Sequence, residues 1–536
     1  MHEHQTKEEL SALNAMELTR PVSVAGMRLP VQLLIATAGS VALVFLLSVL
    51  VAKLGAFAAM AAVTAVLMGC ALCLLPRAAA FVAVFLLYTN LVVVFAGSPL
   101  YQVVGASSVF LLALPVADQL LIRGESARFD RVFGLMVVFL VVLLVSAFVA
   151  EDINLAIKEI VQYVTEGVVI YLLVINLVRS TPDLHRVMAA GVLSCAVLST
   201  MTIYQVVTHD YKTQFGGLAQ RLDVSHPLPK VGSEPIAAED APMPIAAEDE
   251  EDGIALIDRA SGPIGDPNRY AQLLLVVLPW SLYFSRHGRT PLQRLAAAAT
   301  AALIMTAVAL TYSRGAFITV ALLVLCLLVW RYIRPGRLAL GALVLVAIVA
   351  ATAPGVLARV GSIGGVGLLG KQDAKVAPDG AIKGRATEML AALAVYLDHP
   401  FLGVGPGQYV PFYSEKYQLI DELSFRHLPR PREAHNLYFS IGAETGSAGL
   451  LVFFLIVGTL FVGLRWARRF WLPRSRRRAD LAVALSLSLV AYLGTGVFLH
   501  LSFERYLWFL VAIASAAIHI LRQDQLRQSA EEASWR

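Results

Sequence analysis

Residues 435–464 read HNLYFSIGAETGSAGLLVFFLIVGTLFVGL, an apolar segment long enough to cross a bilayer. It begins with His435-Asn436. At about 100° per residue of an α-helix, Gly442, Gly446 and Gly449 lie within about 40° of His435 on one face. The pattern predicts a histidine where hydrocarbon meets water, above a groove that a neighbouring helix can approach closely. An ionisable group at this depth is a functional-site candidate. The alternative is an interfacial histidine that caps a packed helix.

The composition of the whole chain is that of an integral membrane protein. Of the 536 residues, 58% are hydrophobic and 15% are charged, and the mean hydropathy is +0.70. Soluble domains carry about 25% charged residues. The apolar runs are continuous rather than alternating, which predicts helices and not a barrel. The net charge is only +5, and the arginine clusters flank apolar runs, so we expect contact with membrane lipids and no nucleic-acid partner.

The apolar runs predict an all-α, polytopic transmembrane bundle of about fourteen spans, with twelve as the alternative. The fourteen lie near 31–52, 54–76, 78–96, 102–122, 132–150, 160–178, 186–207, 269–286, 293–312, 315–333, 337–353, 435–464, 481–501 and 505–521.

Loop charges predict the orientation of these spans. Connectors rich in arginine occur at 122–131, 286–294, 331–337 and 465–478, and they fall at every second loop. By the positive-inside rule these connectors and both termini face the cytoplasm, and the other loops face outward. A mainly helical periplasmic cap then lies between the eleventh and twelfth spans. Its helical pattern covers 385–398 and ends in a Pro/Gly-rich turn at 399–407.

The predicted organisation has seven parts: an N-terminal cytoplasmic tail (1–30), transmembrane helices (31–207), a periplasmic loop (208–266), further transmembrane helices (267–353), the cap loop (354–434), C-terminal transmembrane helices (435–521) and a cytoplasmic tail (522–536). The first loop contains an acidic insert, 232–252, in which PIAAED occurs at 235–240 and again at 244–249. Such a segment buries too little apolar surface to order itself, so we interpret it as a disordered spacer and not as a metal site.

Basic side chains near the outward ends of spans are the other candidates for a site. Arg314 lies in a tight turn between two spans, Arg385 opens the predicted cap helix, and Arg269 and Arg432 lie close to span ends. The non-functional alternatives are that Arg314 extends its side chain to the membrane interface and that Arg385 is an ordinary solvated helix residue. Arginine binds phosphate oxygens with two parallel hydrogen bonds, and a neutral histidine accepts a proton near pH 7. Together they suit attack by a hydroxyl on a carbon whose leaving group is a diphosphate, without a metal.

These motifs resemble the O-antigen ligase and polymerase superfamily of bacterial membrane glycosyltransferases. His435-Asn436, nine residues, then Gly446-x-x-Gly449 fits that family's His-[Asn/Ser/Gln]-x9-Gly-x-x-[Gly/Thr/Tyr] signature. Further matches, which extend the resemblance over roughly 260–465, are Gly265-Asp266-Pro267-Asn268, Ser313-Arg314-Gly315, Gly384-Arg385 and Gly403-Val404-Gly405.

The resemblance implies a metal-independent, inverting transfer on the periplasmic face of the bacterial inner membrane, with no cofactor. The donor is a glycan on undecaprenyl diphosphate, and the acceptor is lipid A-core, a growing glycan or a protein. His435 would activate the acceptor hydroxyl, and Arg314 and Arg385 would hold the diphosphate. Asn436 either orients His435 or caps the helix, and Tyr438, like Arg269 and Arg432, is a supporting candidate.

Two departures from the ligase pattern leave the acceptor open: about two extra spans and the acidic insert. Ligase, surface-polysaccharide or exopolysaccharide polymerase, and protein O-oligosaccharyltransferase all remain alternatives. A transporter of a small anion is an alternative from another class. Transporters place polar groups near the bilayer midplane, and Asp118, Glu166 and Glu444 are the few ionisable residues within or near span interiors.

Overall fold

The computed structural model describes residues 76–89, 111–209, 259–333, 380–420, 423–425, 431–499 and 505–534, with four single positions at 335, 336, 339 and 343. The predicted span 31–52 and the acidic insert 232–252 lie outside these residues, as do all but a few positions of the predicted spans 54–76 and 337–353. The described elements are helical, without a strand among them. Their bounds are α1 Pro76–Tyr88, α2 Leu111–Ile122, α3 Arg131–Val149, α4 Ile153–Leu177, α5 Thr181–Thr208, α6 Pro267–His287, α7 Pro291–Leu310, α8 Arg314–Val329, α9 Gly380–Asp398, α10 Glu415–Gln418, α11 Leu437–Trp471, α12 Arg476–Thr495 and α13 Arg505–Ser534.

The chain divides into two compact units. The first comprises 1–79 and 117–125, and its described part contains an ion pair of 2.7 Å between Asp118 and Arg123. The second comprises 80–116 and 126–536, and it holds every residue of the candidate site described below.

Seven of the described helices are long and apolar enough to cross a membrane: α3, α4, α5, α7, α11, α12 and α13. Helices α2 and α8 are shorter apolar helices. The prediction of an all-helical protein with several candidate membrane spans is therefore confirmed, while the total of about fourteen spans stays a prediction. Several helices begin where a short polar side chain satisfies their first amides. Asp130 caps α3, Ser180 caps α5, and Thr290 and Gln293 form a capping box on α7.

Arginine-rich connectors meet at one end of the second unit. A guanidinium nitrogen of Arg468 donates to the carbonyl of Trp330 at 3.0 Å. A guanidinium nitrogen of Arg476 donates to the backbone carbonyl of Arg331 at 3.4 Å. Asp480, 2% exposed, accepts from Arg476 at 3.1 Å and from His287 at 2.9 Å. Pairs between this connector and the late part of α13 add to the same end. They are Arg474–Glu532 at 3.9 Å and Arg478–Asp524 at 2.9 Å. Three of the four predicted connectors thus lie together, as alternate loops of one bundle should.

The described cap residues form their own small core beside α11. Helix α9 is followed by the turn 399–407, a π-helical turn at Tyr409–Ser414 and α10. The buried side chains that join these pieces are Ala391, Ala392, Val395, Val404, Tyr409, Tyr417, Ala434 and Ala443. Each fully buried side chain of the size of Val404 contributes about 1.5–3 kcal/mol. Ala443 belongs to α11, so the cap packs directly on one of the candidate membrane-spanning helices.

Candidate active site

The start of α11 holds His435 in a constrained backbone. His435 has φ +43°, a left-handed conformation that is uncommon outside glycine. Asn436 is the N-cap: its Oδ1 accepts from the amides of Tyr438 at 2.9 Å and Phe439 at 3.0 Å. Its Nδ2 donates to the carbonyl of Val497 at 3.0 Å. Of the two roles that the sequence left open for Asn436, these contacts are those of a helix cap.

A buried carboxyl group on α9 brings the basic residues together. Glu388 has a side chain only 3% exposed; its Oε2 lies 3.5 Å from Nε2 of His435 and its Oε1 lies 3.7 Å from Nη1 of Arg432. Arg385 precedes Glu388 by one helical turn and acts on it electrostatically. Burial raises the pKa of Glu388, Arg385 lowers it and Glu433 raises it, and together these influences bring the pKa to about 8. Arg432 and His435 therefore share one carboxyl group, and the charge of Arg385 acts on the same group.

Arg314 belongs to a second polar group at the starts of α6 and α8. Asn268 Oδ1 accepts from Ser313 Oγ at 2.8 Å and from Arg259 Nη2 at 3.1 Å. Ser313 is the N-cap of α8, and Arg314 is that helix's first residue. The two motifs Gly265-Asp266-Pro267-Asn268 and Ser313-Arg314-Gly315 thus meet in space. Arg269 lies in the first turn of α6, and its amide donates to the Asp266 cap at 3.3 Å.

The segment that follows α12 connects the two groups. The amide of Leu437 donates to the carbonyl of Gly496 at 2.7 Å, directly after the Asn436 cap. On the other side, a Cβ added to Gly315 would lie 2.8 Å from the ring of Phe498. Residues 496–498 therefore touch both the start of α8, with Arg314, and the start of α11, with His435. The starts of α6, α8 and α11 lie together at the end of the unit opposite the arginine-rich connectors.

The glycines of α11 do not line an uninterrupted helical face. Gly446 has φ +62° and ψ −161°, which breaks the helix. A Cβ there would lie 2.3 Å from the backbone of Phe401, so the chain of the cap turn enters the break. The expectation of one continuous groove for a neighbouring helix is therefore wrong. Helix α9 does approach at Gly442, where a Cβ would lie 3.2 Å from the Tyr396 ring, and Gly449 leaves room for Thr445 of its own helix.

Backbone hydrogen bonds replace those that the break removes. The amides of Val404 and Gly405 donate to the carbonyls of Ala443 and Glu444 at 2.8 and 3.0 Å. In the other direction, the amide of Ser447 donates to the carbonyl of Pro400 at 2.7 Å. The helix ends on both sides of Gly446 are thus satisfied by the cap turn, as buried backbone groups require. The cap is in this way fixed to the helix that carries His435.

Polar side chains also bind the backbone where the cap turn meets the break in α11. Ser146 Oγ of α3 donates to the carbonyls of Leu402 at 2.6 Å and Glu444 at 2.8 Å. The carboxylate of Glu444 accepts from the amides of Gly407 and Tyr409. Glu444 therefore serves the attachment of the cap.

Two predicted positions, Arg385 and Tyr438, differ from expectation in detail. Arg385 was expected to open the cap helix, but α9 already begins at Gly380, so Arg385 lies inside it. Tyr438 points away from the basic group: its hydroxyl donates to the carbonyl of Leu493 at 2.8 Å, and its ring stacks on Phe454 with centroids 5.9 Å apart. It packs α11 against α12 and does not touch the cluster at Glu388.

Glu388 was missed by the sequence reasoning. Its signal was the spacing of three residues after Arg385 on a helical pattern, which places the two side chains on one face. Arg426 and Arg430, which also precede His435, lie outside the described residues.

Comparison with known proteins agrees with the motifs. A family model described as O-antigen ligase matches residues 299–454. That range contains α8, α9 and the first half of α11, with Arg314, Arg385, Glu388 and His435, and it confirms the predicted resemblance. A search of curated proteins found no match.

Proposed function

We propose that this chain, whose residues 299–454 match the O-antigen ligase family, is a membrane glycosyltransferase that moves a glycan from undecaprenyl diphosphate to an acceptor hydroxyl on the periplasmic face. The family match supports an enzyme of the ligase and polymerase type. The observation that carries the residue assignment is the placement of His435 and Arg432 within 4 Å of one buried carboxyl group, Glu388, on which Arg385 also acts electrostatically. These residues lie inside the matched range and at the end opposite the arginine-rich connectors.

The reaction is a single displacement with inversion. The acceptor oxygen forms a bond to the anomeric carbon while the bond from that carbon to the diphosphate oxygen breaks. The electron pair leaves with the diphosphate, and the hydroxyl proton passes to the imidazole of His435. General-base catalysis of this kind contributes about 10²–10⁴ in rate.

Arginines hold the leaving group in this proposal. Arg385 and Arg314 bind the diphosphate oxygens, since a guanidinium group stays charged at any working pH and matches phosphate geometry. Arg432, which lies 3.7 Å from Glu388, and Arg269, in the first turn of α6, would serve as supporting charges. The positive ends of α6, α8 and α11 add to the field, although their first amides are already used by Asp266, Ser313 and Asn436. These charges neutralise the diphosphate without a divalent metal.

The orientation follows from the same two ends. The arginine-rich connectors face the cytoplasm together with both termini, in the bacterial inner membrane. The cap and His435 then face the periplasm, where a lipid-linked glycan is presented after it has crossed the membrane.

Transport receives little support from the ionisable residues that suggested it. Asp118 pairs with Arg123, Glu166 lies 3.9 Å from Arg505, and Glu444 binds the cap backbone. Each has a local partner, and nothing about them favours a solute path.

A deletion strain complemented with variants tests the proposal. Wild-type protein should restore the surface glycan, whereas His435→Ala and Arg385→Ala should not, although both still accumulate in the membrane. Full complementation by both variants would contradict it. The product that accumulates without the gene identifies the acceptor: free lipid A-core beside intact long polymer means a ligase, single-repeat products mean a polymerase, and unglycosylated protein means a protein glycosyltransferase.

A further inference from the structure

Glu388 is held rigidly at its place in the cap. The hydroxyl of Tyr409 donates to its carbonyl at 3.3 Å. The neighbouring Thr387 Oγ1 accepts from the amide of Phe425 at 3.0 Å, which fixes the same turn of α9 from the other side. On the next turn, Ala391 and Ala392 are fully buried in the cap core. The position of this carboxyl group is therefore set by packing and does not depend on its own charge.

The groups that face Glu388 come from three elements. Arg385 lies on its own helix, Arg432, Glu433 and His435 lie on the segment before α11, and Tyr409 lies on the π-helical turn. Burying a carboxyl group costs several kcal/mol unless cations and hydrogen bonds compensate. Here the compensating charges are Arg385 and Arg432, and the closest titratable partner is the imidazole. A carboxyl group in this setting changes how readily the imidazole accepts a proton.

We propose that Glu388 is a positioning residue for His435: its carboxylate orients the imidazole and stabilises the positive charge that the ring gains when it takes the proton of the acceptor hydroxyl. This inference rests on the proposed function. The proton stays on the imidazole during the displacement. Glu388 therefore forms no bond to the substrate and does not receive the proton. Its effect is electrostatic, over the 3.5 Å that separates Oε2 from Nε2.

The protonation state of Glu388 should make the transfer rate depend on pH. Burial raises the pKa of Glu388 to about 8, so the carboxyl group is mostly protonated and neutral below that value and ionised above it. Only the ionised form stabilises an imidazolium ion. The transfer rate of the wild-type protein should therefore rise as pH increases through about 8. A neighbouring charge that shifts the pKa of an imidazole by about one unit changes its ratio of protonated to neutral form about tenfold.

The test uses purified full-length protein in lipid nanodiscs, an undecaprenyl-diphosphate-linked glycan as donor, and its acceptor. Glu388→Gln keeps the shape and removes the charge. We expect a deficit of about twofold at about pH 6.5 that grows to about tenfold at about pH 9, with the donor KM changed less than about twofold. Glu388→Asp, which keeps a carboxylate, should retain the rise with pH. Glu415→Gln, the same change at an exposed position of the cap, should behave as wild type.

The outcomes separate this inference from the proposed function. A Glu388→Gln deficit of the same size at every pH would indicate a structural role and overturn the inference. So would wild-type rates in both Glu388 variants while His435→Ala is inactive, a result that leaves the proposed function standing. If Glu388→Gln does not fold, loss of the pH rise in Glu388→Asp overturns the inference. An active His435→Ala protein would overturn the proposed function itself.

Discussion

Gly403 lies so close to Glu444 that a Cβ on this glycine would be 2.4 Å from the carbonyl carbon of Glu444. Gly403 also has φ +66°, which disfavours any other residue. The contact joins the cap, which carries Arg385 and Glu388, to α11, the helix that begins directly after His435 and Asn436. The proposed chemistry therefore depends on glycines that touch no substrate.

Gly403→Ala and Gly446→Ala should each separate the cap turn from α11. Strain at a single left-handed position costs about 1–3 kcal/mol, and the clash with backbone adds to it. We expect a melting temperature lower by several degrees and transfer reduced more than about tenfold, measured in detergent and in nanodiscs. Gly458→Ala is the matched control on the same helix, because an added Cβ there meets nothing within 4 Å. Equal behaviour of all three variants would contradict the assignment.

Substitution of Arg314 or Arg385 should weaken binding of the lipid-linked donor, whereas substitution of an arginine outside the site should not. Arg314→Gln and Arg385→Gln should raise the KM for the lipid-linked donor about tenfold or more, because charge-assisted bonds to phosphate are lost. Lysine should restore only part of this, since it cannot make two parallel bonds. Arg469→Lys, at the exposed arginine-rich end, serves as control. An unchanged donor KM in the glutamine variants would remove both residues from the diphosphate site.

Asn436 should act as a cap and not as a catalytic group. Asn436→Ala removes the side-chain acceptor of two amides and should cost about 0.5–2 kcal/mol of stability. Asn436→Ser restores a capping oxygen and should recover most of that loss, as thermal unfolding in detergent would show. If the serine variant is as stable as wild type yet inactive, Asn436 has a role in the chemistry beyond the cap.

Transfer should continue in the presence of a chelator. Because arginines neutralise the diphosphate in this proposal, EDTA at millimolar concentration should leave the initial rate unchanged. Loss of activity that magnesium or manganese restores would mean that a metal supports the leaving group. Direct measurement of undecaprenyl diphosphate release, with and without EDTA, decides the point.

Long apolar runs predicted much of the fold. Span positions such as 132–150 and 186–207 reappear as α3 and α5, because a membrane helix must satisfy its backbone within itself. The motif at His435-Asn436 also predicted where α11 begins. The break at Gly446 was not predictable from periodicity, since the apolar pattern continues on both sides of it. Only the tertiary contact with Phe401 reveals it.

The site was predicted in its residue types but not in its arrangement. Arginines and a histidine near span ends indicated an anion site, and Arg385, Arg432 and His435 do share a neighbour. That neighbour, Glu388, is by sequence an ordinary acidic residue one turn after an arginine on a helix, a spacing typical of solvated surface pairs. Its burial against Arg432 and His435 depends on the tertiary packing of the cap on the segment before α11, which local spacing does not encode.

One measurement tests the central claim most directly: single-turnover transfer from an undecaprenyl-diphosphate-linked glycan by purified protein, wild type against His435→Ala, with His399→Ala as a control from the cap turn. We predict that His435→Ala binds the donor as wild type does and transfers the glycan about 10²–10⁴ times more slowly. The control should transfer at the wild-type rate. Transfer by His435→Ala within a fewfold of wild type would contradict the account.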